Sequence, residues 1–335
     1  MKKGSLTALL MGLLLSFQLS CLTYAETLPV VRVAALKFGT VNWELDIIRS
    51  QQLDKKHGFQ LEVVELISTH ATAVSVQAGA ADVMVTDWLW VAKQHQNGRY
   101  YRYFPFSTAV GDLLVPAGSN VTGLDDLADK ELGVAGGSEG KSWLLFRAFT
   151  KATADYDLAD RVNERFAAPP LINGLIKTDQ LDAVLNYWHY SAALKAKGYR
   201  SLLTLQDVLQ QLGFAEPVPM LGWVFKQQWA EQQPQVINAF LSASYEAKKL
   251  LLESDEQWLQ LKPRMKAEDQ ALFEELRQGY RQGVPQQFSE SDMAAIARVY
   301  DIVIAELSPA QAQQQSGSLG MAQEIFWRQF TLDNQ

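Results

Sequence analysis

Cysteine is nearly missing from this chain. The only one, Cys21, lies among residues 1–25, which read as a leader removed on export. Without it, disulfides, thiol nucleophiles and cysteine–metal sites are excluded together. Histidine is scarce as well, and His57, His70, His95 and His189 share no metal-ligand spacing. Dense lysine or arginine runs are missing and the net charge is −7, so nucleic acid and anionic lipid are poor partners. No stretch of about 18 apolar residues follows the leader, so no membrane-spanning helix is expected. Neither a Ser/His/Asp order nor a paired-carboxylate signature stands out. The chain does not read as an enzyme, and nothing in it asks for a cofactor or a metal.

What is present suits two domains of ordinary size. The chain has 335 residues, 48% of them hydrophobic, enough to bury a substantial core. Its first residues supply a basic start (Lys2, Lys3), a short apolar run (Leu9 to Leu15) and a small-x-small site at Thr23-Tyr24-Ala25. Cleavage after Ala25 would deliver a periplasmic protein. A lipoprotein would be cut before Cys21, where Gln18 stands in place of the preferred leucine.

The organising stretch is Asp129 to Arg147. Leu132 to Ala135 is a short buried strand, Gly136-Gly137-Ser138 breaks it, and a helix carrying Trp143, Leu144 and Phe146 is expected from near Glu139. A strand ending in glycines before a helix leaves backbone N–H groups aimed at one spot, which favours an acceptor or an anion. Ala135 to Ser142 also fits a loose phosphate loop. Export away from ATP argues against that reading, as does the lack of a metal-holding carboxylate on the run Leu181 to Leu185.

Strand and helix patterns alternate from Val30 to Gly98 and again from Leu124 to Leu205, with a changeover near 107–117. That rhythm predicts two α/β units with mostly parallel sheets, whose ligands sit beyond the carboxyl ends of the strands. After a strand at Met220 to Phe225 the chain is nearly all helix, with a capped start at Ser289 to Asp292 and a short final helix at Met321 to Phe330.

Several motifs carry a family likeness. Gly123-Leu124-Asp125-Asp126-Leu127 stands before Leu132-Gly133-Val134 and a Gly-Ser turn. Gln77-Ala78-Gly79 leads into Ala81 to Val85, and Leu181-Asp182-Ala183 is followed by Trp188. In order and spacing the chain resembles the solute-binding proteins of ABC importers, more narrowly the nitrate/sulfonate/taurine and thiamine-precursor group. The resemblance implies an α/β, periplasmic-binding-protein-like (type II) fold with two lobes, a ligand cleft between them and a helical C-terminal extension. One lobe would comprise 28–110 plus 219–335 and the other 111–218, with crossovers at Thr108–Pro116 and Val218–Val224. It further implies a monomer that holds one small-molecule solute and docks transiently on an ABC permease in the inner membrane.

Carried over by position, the ligand-binding residues are Lys37, Phe38, Thr40 and Trp43 from the first turn and Thr86, Asp87 and Trp88 from the third. Gly137 and Ser138 come from the glycine turn, and Asn186, Tyr187 and Trp188 from the facing lobe. Asp87 would suit a ligand amine or hydroxyl, or a cross-cleft pair with Lys37, and it argues against a taurine- or nitrate-type anion. The solute is expected to be small and organic, aromatic or sulfonate-like. A second expectation keeps the fold without transport, as an accessory partner of a quinoprotein alcohol dehydrogenase.

Overall fold

The computed structural model describes residues 27–308, 311–312 and 324–332; the expected leader and most of the polar stretch 310–317 lie outside them. Sheet I begins with the β-branched run Val30–Leu36 (β1), followed by helices α1 (Val41–Ser50) and α2 (Leu53–Lys56). Then come β2 (Gln60–Leu66), α3 (Thr69–Ala78), β3 (Val83–Thr86), α4 (Trp88–Gln96) and β4 (Tyr101–Ser107). β1 is the parallel centre, with Val33 opposite both Val63 and Val83.

The chain then crosses to sheet II. It lays down β5 (Asp112–Val115), β6 (Glu131–Ala135), α5 (Lys141–Ala154), β7 (Asn163–Ala167), α6 (Pro169–Lys177), β8 (Ala183–Leu185), α7 (Trp188–Lys195), β9 (Arg200–Thr204) and α8 (Leu205–Gln211). It returns as β10 (Leu221–Lys226), antiparallel between β3 and β4. The two sheets therefore share one plan, with strand orders β2-β1-β3-β10-β4 and β7-β6-β8-β5-β9. In each, the crossing strand, β10 or β5, runs antiparallel to its neighbours. Gly111 is needed at the crossing into β5. A methyl there would lie 1.5 Å from the carbonyl oxygen of Asn186 at the end of β8.

The remainder is helical: α9 (Gln227–Gln232), α10 (Pro234–Glu253), α11 (Asp255–Met265), α12 (Gln270–Gln282) and α13 (Glu290–Ala305). Ser289 and Asp292 form the expected capping box at the start of α13. These helices do not stay with sheet I. α12 packs on α7 and α13 on α5, both of which belong to sheet II. The link is ionic as well as apolar, since Lys151 of α5 pairs with Glu306 just beyond α13 at 2.7 Å.

The described part of the last segment differs from the expected helix. Phe326 bridges Tyr103 in parallel, the Tyr103 N–H donates to Ile325 O at 2.7 Å and the Trp327 N–H to Tyr103 O at 3.0 Å. β4 is the edge of sheet I. Its unpaired backbone groups and the buried Ile325, Phe326 and Trp327 side chains favour this extended seat over a helical one.

Sheet I's helical face is tied by a buried ion pair. Glu44 of α1 and Lys248 of α10 are 0% and 1% exposed. The Glu44 carboxylate takes the Lys248 ammonium, the Ser244 hydroxyl at 2.5 Å and the Tyr280 hydroxyl at 3.1 Å. Lys248 Nζ also lies 3.8 Å from the Phe106 ring centroid. Removing one partner strands the other charge in the core. Lys248→Met is expected to cost about 3–5 kcal/mol in urea unfolding, and replacing Glu44 and Lys248 together by methionine less than that. A single-variant loss below about 1 kcal/mol would show that the pair carries no such strain.

Candidate functional site

β1 and β3 are parallel neighbours, so the turns that follow them lie side by side. The first, Lys37 to Thr40, is held by Asn42, whose Nδ2 donates to Leu36 O at 2.6 Å and Gly39 O at 3.2 Å. Lys37 and Phe38 are left exposed, Phe38 to 73%. Thr86 ends β3 half-buried. Asp87 then caps α4, its Oδ1 accepting the Trp90 N–H at 2.9 Å.

On the other side, Gly136 has φ +93°, and a side chain there would press on the Tyr187 hydroxyl, 3.1 Å from an added Cβ. Gly137 and Ser138 are exposed in the same turn, and α5 starts at Lys141, two residues later than its sequence suggests. Lys141 reaches across to Asp87 and forms an ion pair with Oδ2. Tyr187 is 46% exposed, but its hydroxyl lies beside this group, where partial desolvation and then the nearby Asp87 carboxylate raise its phenol pKa.

Beside these turns a cavity of about 330 Å³ opens between the two halves. Lys37, Phe38, Gly39, Thr40 and Trp43 line one side and His189, Tyr190 and Ala193 the other, with Pro263 to Lys266, Leu272 and Leu276 closing the end. Its walls mix apolar and aromatic side chains with the cationic Lys37, Arg264 and Lys266, and no carboxylate lines it. Two ammonium groups converge on Phe38, Lys266 at 4.1 Å and Lys37 at 5.7 Å from the ring centroid. Neither has an ion-pair partner among the described residues, whereas Arg264 is held by Asp46 at 3.3 Å and Glu65 at 2.5 Å.

Two expected ligand residues face inward instead. Trp88 is 0% exposed, donates its indole N–H to Pro219 O at 3.2 Å and packs edge-on against Tyr300. Asn186 is 2% exposed and its amide is fully engaged. Nδ2 donates to Asn173 Oδ1 at 2.8 Å and Pro169 O at 3.0 Å, and Oδ1 accepts the Tyr187 N–H at 2.8 Å. Asn186 thereby braces the turn into α7, and Trp88 anchors the start of α4. Asp87 pairs with Lys141, not with Lys37.

Trp188 meets Trp43 edge to face at 5.9 Å, and Trp43 meets Trp258 at the same distance. Beyond Trp188 lies a second, more polar cavity of about 490 Å³ beside the crossing Thr108 to Asp112. A third cavity, about 540 Å³, is an open groove at Arg102 and Arg328 near β4, away from the strand ends. From sequence, Lys141 reads as helix surface and His189 as a surface residue or one backing the site, whereas Lys266 and Tyr190 are not singled out. Lys141 carried a signal, since it opens the helix after the glycine turn; Lys266 carried none.

The architecture is the two-lobed fold of periplasmic binding proteins. Among solved structures, the chain is similar to the periplasmic aliphatic sulphonate binding protein SsuA from Escherichia coli. The identity is 15% over 89% of this chain and 92% of that one, with a TM-score of 0.69. It is similar as well to the alkanesulfonate-binding protein SsuA from Xanthomonas axonopodis pv. citri bound to MOPS. Here the identity is 16% over 90% and 99% of the two chains, with a TM-score of 0.66. The desulfurization enzyme DSZB also shares the fold, at 13% identity over 89% and 99% of the chains and a TM-score of 0.58. No family model matches the sequence, and no curated protein does. Among the described residues no helix is long and apolar enough to cross a membrane, and no cluster of His, Cys, Asp and Glu could hold a metal.

His189 provides a direct check on this wall of the site. Its Nδ1 is buried with no hydrogen-bond partner among the described residues. Burial holds the imidazole down to about 4, so the ring is neutral at physiological pH. The unfolded chain would bind that proton near 6.5. Its contribution is therefore fully present above 6.5 and falls as the pH drops toward 4, by ~3 kcal/mol in all. In NMR the His189 ring is expected to stay neutral at pH 5, and His189→Gln to flatten that part of the stability profile. Titration near 6.5 would place the ring in water.

Proposed function

We propose that this chain is an exported, periplasmic solute-binding protein. It would capture a small organic anion between its two lobes, 28–110 with 219–335 and 111–218, and hand it to an ABC permease in the inner membrane. The observation that carries this reading is the cavity of about 330 Å³ built from both halves, with aromatic and cationic walls, no lining carboxylate, and Lys37 and Lys266 at Phe38 without an ion-pair partner among the described residues. The anionic head would sit at the two ammonium groups, and its body along Phe38, Trp43, His189 and Tyr190. Thr40 closes the same wall. Thr86, Asp87, Gly137, Ser138 and Tyr187 form the adjoining mouth, and Trp188 backs it through Trp43.

Asp87 no longer opposes an anion, because Lys141 neutralises it. The sulfonate binders among the structural neighbours support the same solute class, and they match this chain better than the desulfurization enzyme does. We read the chain as a binder and not a catalyst. The accessory-partner alternative draws no support from these neighbours.

A matched series tests the charge. Hexanesulfonate and hexanoate are expected to bind in isothermal titration calorimetry, hexanol and hexylammonium much more weakly. Lys37→Met and Lys266→Met should each weaken the anions by roughly tenfold or more, the scale of losing one charge-assisted contact. Equal binding of hexylammonium, or anion affinity indifferent to both lysines, would contradict the reading.

A further inference from the structure

The Asp87–Lys141 pair joins the two halves of the molecule directly. Asp87 follows β3 of sheet I, and Lys141 opens α5 after β6 of sheet II. The carboxylate is not free to swing away. Its Oδ1 is committed to the Trp90 N–H at 2.9 Å, and this aims Oδ2 at the lysine. The ammonium also lies 5.6 Å from the centroid of the Trp88 ring, which is itself fixed by its indole bond to Pro219 O.

Only 27% of the Asp87 side chain and 15% of the Lys141 side chain are exposed. Screening by water and salt is therefore weaker than for an open surface pair. Lys197 and Asp269 also link α7 to the segment before α12, at 2.7 Å, but with 48% and 42% of their side chains in solvent. The Lys151–Glu306 pair joins α5 to the C-terminal helices away from the turns, whereas the Asp87–Lys141 contact lies at the mouth where a solute would pass.

We infer that Asp87 and Lys141 form a latch that draws the lobes together before solute arrives. The pair has a cost in any open arrangement. Parting the lobes takes the Lys141 ammonium off both the Asp87 carboxylate and the Trp88 ring and returns one oxygen of the capping carboxylate to water. A solute then meets a cleft already biased toward closure, and its apparent affinity rises with the fraction of molecules in that state. The latch concerns closure alone and holds whatever the solute is, so it fails or stands separately from the anion reading.

Pulsed electron–electron resonance distances test it without any ligand. Spin labels are placed on introduced cysteines at exposed Val74 and Leu171, one on each half, with Cys21→Ser in the same chain. Asp87→Asn removes the charge and keeps the helix cap, and Lys141→Met removes the ammonium and keeps the length. Each single variant is expected to raise the open-to-closed ratio by about two- to tenfold, with the double variant opening no further. High salt on the chain with neither substitution should shift the distances the same way, a readout that does not depend on a variant folding. Distances indifferent to both variants, or single effects that multiply in the double, would overturn the latch.

Discussion

The two halves of this protein meet where Trp43 and Trp188 touch edge to face at 5.9 Å. Trp43 comes from α1 under sheet I and Trp188 opens α7 after sheet II, so neither half completes this part of the core alone. Trp258 and Tyr280 from the C-terminal helices complete the cluster, at 5.9 Å and 6.1 Å from Trp43. Edge-to-face aromatic contacts are directional, and several in one cluster set the approach of the elements that carry them. The cavity beside it inherits its shape from that contact.

Charge is then sorted along the mouth. At one end Asp87 and Lys141 cancel each other, with Tyr187 beside them. At the other, Lys37 and Lys266 gather at Phe38 with no ion-pair partner among the described residues. The ring's quadrupole attracts both ammonium groups, while their mutual repulsion is screened by water. An anion placed between them relieves that repulsion, and the apolar wall behind them rewards a hydrocarbon body. On the proposed function, a dipolar arrangement of this kind would suit a solute with a charged head and a neutral tail.

Much of the framework was legible in the chain itself. β-branched runs and glycine stops marked the alternation of strands and helices, because local backbone preference and burial agree there. The first turn was equally readable, since Lys37 to Trp43 follow directly on a strand that can only end there. Pairings set by distance were not. Asp87 and Lys141 are 54 residues apart in sequence, and nothing local shows that one neutralises the other. Lys266 lies at the end of a helix whose position on the cleft depends on the whole tail packing back across both sheets. Trp88 and Asn186 stand at strand ends, yet each turns inward to bond a backbone carbonyl that local sequence does not reveal. The C-terminal segment looked helical by its own pattern, and the open edge of β4 claimed Ile325 to Trp327.

The central claim is that a solute lies between the Phe38 wall and the His189 wall. Mass spectrometry of the denatured protein as purified from its native host, followed by crystallography with the molecule so identified, tests this most directly. The account requires one organic anion per chain, with its head near Lys37 and Lys266 and its body along Phe38 and Tyr190. A cation, or density confined to the groove at Arg102 and Arg328, would contradict it.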